Sequence, residues 1–312
     1  MPKKPTAPPP MGTEDDKVQP GEQEVSTVNP PEGTEIESPA GEQAVEEESS
    51  KEEPLADAEF EAVLGDNSKA FFPIVDALNN VIDATVFRFR KRGVTIAGMD
   101  ESHICIVAVD IPAAFFGNYE VTREGDIGVN LEDLSKIAGR TKGDAITLAS
   151  DAKNSLLLVK AKGKTARQFK IHLCNVDTEN IPPTTELDIV YNNYAAFPAE
   201  LLAEAAKDAK LFGNTIAMHV QPPDTVRFTA ESEVGEMECV LDKGHYYSAE
   251  LKVASSGVFS LHFVEKILKI KDAADSAKWW FDNNVPLKVE YSLPSGATVK
   301  YFLAPRVEEE GW

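Results

Sequence analysis

Cysteine is scarce in this chain. Cys105, Cys174 and Cys239 are three among 312 residues, an odd number and scattered, so no disulfide framework is expected and a reducing compartment is. Cys105 and Cys239 fall in alternating strand-like runs, where a thiol serves as small apolar filler. Long apolar runs are missing too, so no segment reads as a bilayer-spanning helix. The five histidines (His103, His172, His219, His245 and His262) show no metal-ligand spacing with the cysteines. There is no glycine-rich phosphate loop, no GxSxG elbow and no HExxH helix. Acidic pairs such as Asp100-Glu101 are read as solvated loop rather than acid–base machinery. These absences argue against an enzyme, and no cofactor or metal is expected. Positive charge is also short: 31 Lys and Arg stand against 52 Asp and Glu, a formal charge of −21. So acidic a chain suits nucleic acid only if its basic residues gather on one surface.

Aromatic residues are absent from residues 1–57, which hold 10 of the 20 prolines, 15 acidic residues and 4 basic ones. Such a segment cannot bury enough apolar surface to offset chain entropy and is expected to be disordered. No apolar stretch follows Lys3-Lys4, so it does not read as a signal peptide. A passive solvating leader is the expected role, with a regulatory or docking arm as the alternative.

The rest of the chain is organised as a repeat. Phe72-Pro73 and Phe197-Pro198 each open a helix-like stretch, 125 positions apart. Leu131-x4-Lys136-Ile137 returns as Leu261-x4-Lys266-Ile267 after 130, and Val94-x-Ile96 as Val226-x-Phe228 after 132. Constant order at near-constant offset means two copies of one supersecondary unit. Apolar spacing predicts helices over 69–84, 130–138, 198–210 and 260–271. Alternating runs predict strands at 60–64, 86–90, 94–98, 104–111, 146–150, 156–160 and 168–173. The second copy adds strands at 226–230, 236–241, 286–293 and 298–303. Each copy is thus an α+β unit with helices on one face of a mostly antiparallel sheet. The expected boundaries are a tail at 1–57, domains at 58–173 and 188–307, a proline-bearing connector at 174–187 and an acidic end at 308–312.

Basic residues recur on the helices: Lys69, Lys136 with Arg140, Lys207 with Lys210, and His262 with Lys266 and Lys269. Solvated amphipathic faces would explain any one of these, though less well their recurrence at matched places in an acidic chain.

At this point the residues resemble a family. Lys300-Tyr-Phe-Leu-Ala-Pro-Arg-Val-Glu-Glu-Glu310 resembles the terminus of the DNA sliding clamps of archaea and eukaryotes, the proliferating cell nuclear antigen family. Val94-Thr-Ile-Ala-Gly-Met-Asp-Glu-Ser-His-Ile104, Ile127-Gly-Val-Asn-Leu-Glu-Asp-Leu-Ser-Lys-Ile137 and Val285-Pro-Leu-Lys-Val-Glu-Tyr291 are similar to other parts of it, in the right order over about 57–310. The resemblance, closer to the archaeal pattern, implies two tandem sliding-clamp domains per chain and a homotrimeric ring, with helices lining the hole and sheets outside. A strand near 168–173 of one subunit would pair with a strand near 236–241 of the next. Lys69, Lys136, Arg140, Lys207, Lys210, His262, Lys266 and Lys269 would meet the backbone of double-stranded DNA without sequence preference, although Glu204 stands where relatives often carry a basic residue.

The resemblance also implies a site for short hydrophobic motifs of DNA polymerase, clamp loader, flap endonuclease and DNA ligase. Its expected residues are Met99, His103, Ile104 and Ile106, then Val176, Ile181 and Pro182 of the connector, then Pro286 and Phe302, Leu303, Ala304, Pro305 and Arg306. Glu179 stands where many relatives place an apolar residue. The implied function is a processivity factor without catalysis, the alternative being a subunit of a heterotrimeric or checkpoint-type ring. The expected location is cytoplasmic and nucleoid-associated if archaeal, nuclear if eukaryotic.

Overall fold

The computed structural model describes residues 58–178, 181, 186–274 and 276–306. The expectations for the tail at 1–57, for Glu179 and Pro182 and for the acidic end lie outside these residues.

The first half runs β1 (Glu59–Val63), α1 (Ser68–Asn79), β2 (Ala84–Arg90), β3 (Gly93–Met99), β4 (Cys105–Pro112), β5 (Asn118–Arg123) and β6 (Gly125–Asn130). It continues with α2 (Leu131–Arg140), β7 (Ala145–Asp151), β8 (Leu156–Lys162) and β9 (Ala166–His172). The second half repeats that order: β10 (Asn193–Ala196), α3 (Ala199–Ala209), β11 (Thr215–Gln221), β12 (Thr225–Ser232), β13 (Gly235–Leu241), β14 (Ser248–Leu251) and β15 (Ser255–Ser260). Then come α4 (Leu261–Ile267), tightened into a 3-10 segment at Leu268–Ala273, and β16 (Ser276–Phe281), β17 (Leu287–Ser292) and β18 (Thr298–Leu303).

Two of the three repeat landmarks fall on equivalent elements. Leu131 and Leu261 open α2 and α4, and Val94 and Val226 lie in β3 and β12. The Phe-Pro pair does not: Pro73 lies inside α1, whereas Pro198 precedes the first residue of α3. Pro73 is the sixth residue of α1, past the first turn where proline is readily tolerated, so the shared dipeptide does not mark a shared position. Helix α1 also stops earlier than its apolar spacing suggested. The Asn80 backbone amide donates to the Asp76 carbonyl at 3.0 Å and its side-chain amide to the same carbonyl at 2.7 Å, closing the last turn, and Val81 and Ile82 are buried in the loop beyond. Helix α2 starts where it does because the Asn130 side chain accepts from the Asp133 amide at 2.9 Å.

The strands form three sheets, in the orders β5-β1-β7-β8-β9, β13-β12-β11-β15 and β14-β10-β16-β17-β18-β4-β3-β2-β6. The third is shared: β18 of the second half pairs antiparallel with β4 of the first, from Thr298 opposite Asp110 to Leu303 opposite Cys105. Inward side chains on both strands are fully buried, among them Val107, Val109, Val299 and Tyr301. By the repeat, β9 is the counterpart of β18 and β13 that of β4. Yet β9 and β13 each end their own sheet, with no partner on the outer edge among the described residues.

The helices pack through apolar faces. Helix α1 is buried along most of its length because it lies against α2 and also against the 3-10 segment of the second half. Helix α3 meets its sheet through Ala203, Ala205, Ala206 and Ala209, whose small side chains allow close approach.

Candidate nucleic-acid and partner interfaces

The basic residues do reach the surface, but few of them stand alone. Lys69, Arg140 and Lys207 are exposed, and among the described residues none of the three forms an ion pair. The Lys136 ammonium, by contrast, lies 2.9 Å from the Glu132 carboxylate and 3.4 Å from that of Asp133, one helical turn back. Both carboxylates accept from the ammonium, Glu132 with the larger effect, and raise its pKa. Lys210 at the end of α3 meets Glu265 of α4 at 2.6 Å. Lys269 donates to the Asn80 side chain at 2.6 Å and so joins the two halves. Glu204 is exposed on α3. The helix surface is therefore a mosaic of both signs, not the plainly basic face expected.

His262 and Lys266 belong to a different place. They line a cleft of about 550 Å³ together with Met99, Val176 and Ile181, three of the residues expected to bind partners. Lys266 lies 5.2 Å from the centre of the Phe263 ring, a cation–π contact. Val81, Ile82 and Phe263 contribute apolar wall, and Asp83, Asp100, Glu101 and Asp177 line the same cleft.

Asp100 corrects the solvated-loop expectation. It is 7% exposed, and its carboxylate accepts from the amides of Ser102 (3.0 Å), Ile104 (2.7 Å) and Cys105 (2.6 Å). A single carboxylate thereby satisfies the turn from β3 into β4, an Asx-type role that an acidic residue before Ser and His could have suggested. The same carboxylate helps push the Cys105 thiol up to about 12, after burial as the larger cause.

The other expected partner residues split. His103 is exposed at a left-handed φ of 56°, and Ile104 and Ile106 are half-buried. Ala304 and Arg306 are fixed by main-chain bonds to Ile104 (2.9 Å) and Val258 (2.7 Å), which leaves Pro305 half-buried between them. The Pro286 carbonyl accepts from the Tyr191 hydroxyl at 2.8 Å. Leu303 is fully buried and Phe302 is 3% exposed. Leu303 is thus core and cannot touch a peptide, because its strand position points it between the layers. Phe302 opposes Ile106 on β4, with the Lys288 ammonium 5.7 Å from its ring.

Two features that residue patterns did not show hold the connector. Gly128 on β6 lies so close beneath it that a Cβ there would sit 1.9 Å from the Cys174 carbonyl oxygen, and Cys174 donates its amide to the Gly128 carbonyl at 3.0 Å. At the other end Glu186 reaches down to Lys300 and, at 3.0 Å, to Lys288. Burial alone would raise the Glu186 carboxyl, but these two ammonium groups outweigh it and hold it below its ordinary value.

Both halves of the chain have relatives among known proteins. Models described as Proliferating cell nuclear antigen, N-terminal domain and C-terminal domain match residues 59–180 and 186–306. The DNA polymerase sliding clamp of Methanococcus maripaludis (strain C5) is 31% identical over 249 residues, 78% of this chain and 97% of the relative. That of Pyrococcus horikoshii is 27% identical over 252 residues, 80% and 99%. The crystal structure of PCNA from Thermococcus kodakaraensis superposes with a TM-score of 0.73 at 25% identity, covering 79% of this chain and all of that one. With both halves matched in order and nearly the whole length of these clamps covered, the chain belongs to the proliferating cell nuclear antigen family.

Proposed function

We propose that this protein is a DNA polymerase sliding clamp, working as a ring of three copies that encircles duplex DNA and tethers a polymerase to its template. The observation that carries this reading is the pair of open edges on β9 and β13. Inside the chain, the counterparts β18 and β4 zip together; the same joint made head to tail between copies closes a ring in which β9 and β13 are no longer open. Shifting the β18–β4 register by the repeat puts Lys170 opposite Glu236, Gln168 opposite Glu238, and Phe169 opposite Met237. Charge agrees, since β9 carries Arg167, Lys170 and His172 while β13 carries Glu236 and Glu238. One chain supplies both edges, so identical copies suffice and no second kind of subunit is needed.

In such a ring retention is topological, and weak backbone contacts to DNA from the helix face suit a body that must move. Polymerase, loader, nuclease and ligase would dock beside the connector through short apolar motifs, near His103, Ile104 and the chain at Ala304–Arg306. The test is light scattering coupled to size exclusion, then primer extension on circular templates. A mass near three times 34.0 kDa and longer polymerase products only on templates that trap the ring are the expected results. A monomer that leaves product length unchanged would defeat the proposal.

A further inference from the structure

A lysine that neutralises a DNA phosphate adds salt-dependent affinity, and each such contact must be broken or exchanged as the protein moves. Two of the candidate lysines here are ion-paired instead. Lys136 has Glu132 and Asp133 within 3.4 Å, and Lys210 has Glu265 at 2.6 Å from the neighbouring helix. All five side chains are between 41% and 67% exposed, so these pairs add little to stability. Fold maintenance does not explain them. Nor does proximity along one helix explain the Lys210 pair, because Glu265 comes from a different helix, α4.

We propose that Glu132, Asp133 and Glu265 are built-in counter-ions that hold the charged Lys136 and Lys210 in ion pairs from which DNA phosphate can borrow them. This rests on the reading that the helix face meets duplex DNA. A phosphate oxygen and a carboxylate oxygen compete for the same ammonium at the same distance. As the ring moves, each lysine passes from carboxylate to phosphate and back, exchanging one partner for another rather than breaking a contact outright. Fewer salt ions are released on binding than the number of lysines would give, and the energy profile along the duplex is flattened. Lys69, Arg140 and Lys207 remain as the residues that hold the ring centred.

The test uses the full chain and a fluorescently labelled short linear duplex, with anisotropy followed across a potassium chloride series. Glu132→Gln, Asp133→Asn and Glu265→Gln are combined, and light scattering checks that the mass is unchanged. The expected result is tighter binding by about tenfold at low salt, with the slope of log K against log salt steeper by about 2, near 0.9 for each lysine released. If the triple variant alters the mass, Glu265→Gln alone is read, with about half that change in slope. Lys136→Ala and Lys210→Ala serve as the reference pair. If the lysine variants weaken binding and the carboxylate variants leave it unchanged, the counter-ion role is overturned while the helix face stands. If neither set changes binding, the helix face itself is the wrong surface and the inference falls with it.

Discussion

The Lys300 ammonium on β18 lies 3.2 Å from the Asp110 carboxylate on β4, so one ion pair crosses the seam between the two halves of the chain. Lys300 is only 7% exposed and also meets Glu186 of the connector. Desolvation works against its charge, yet the two carboxylates keep its pKa above the ordinary lysine value. Lys300→Met keeps the length and removes the charge. It should cost about 1–2 kcal/mol, less than for a fully buried pair because both carboxylates can rehydrate. Calorimetry would read this as a lower Tm, and amide exchange should quicken at 186–190 as the connector end comes loose. Unchanged exchange there would show that Lys300 does not pin it.

Acid should act on the same contact. Glu186, Asp242 and Asp282 all have folded-state pKa values below their ordinary ones. A carboxylate with a depressed folded pKa contributes stability that is complete above its unfolded value. That stability is lost as pH falls through the folded value. Stability should therefore be level above the ordinary 4.5 of Glu186 and decline below the ordinary 3.8 of the two aspartates. Denaturant midpoints measured across that interval check the sign; a midpoint that rises on acidification would contradict it.

Gly128→Ala is expected to disturb the connector more than the sheet. The new methyl would meet the Cys174 carbonyl oxygen at 1.9 Å, and main chain cannot swing aside as a side-chain tip can. The strand can keep its pairing with β2 while the connector lifts, at about 1–3 kcal/mol. Faster exchange at the Cys174 amide with little change in β2 is the expected pattern.

The edge pairing makes a charge-reversal prediction. Lys170→Glu should place like charges opposite each other and shift scattering mass toward the monomer, and Glu236→Lys should do the same. Combining the two should restore the larger mass. A combined variant as dissociated as the singles would mean another register or another interface.

Much of this architecture can be read from residues, for reasons that differ by element. Leu131, Leu134 and Ala138 bury one face of α2, and β12 alternates cleanly, so both follow from periodicity. Strand β5 is mostly exposed and β14 is four residues long, so neither carries a pattern strong enough to detect. Strand β11 also alternates, yet it is missing from the strands predicted. The candidate site was less accessible. Nothing local tells that Lys266 faces the connector while Lys207 does not, because that depends on how the halves meet. Asp100 and Gly128 escape for a related cause: their importance lies in the main chain that passes beside them.

The seam between β4 and β18 also bears on how such a ring would be opened. At the positions equivalent to Lys300 and Asp110, strands β9 and β13 carry Gln168 and Val240. The joint within a chain is thus riveted by a buried lysine and roofed by the connector, whereas the proposed joint between chains would rest on the surface pair Lys170 and Glu236. A machine that pries at the circle would find welds alternating with latches. Where the circle parts would then follow from the residues that stand on these two pairs of strands, before any loader touches it.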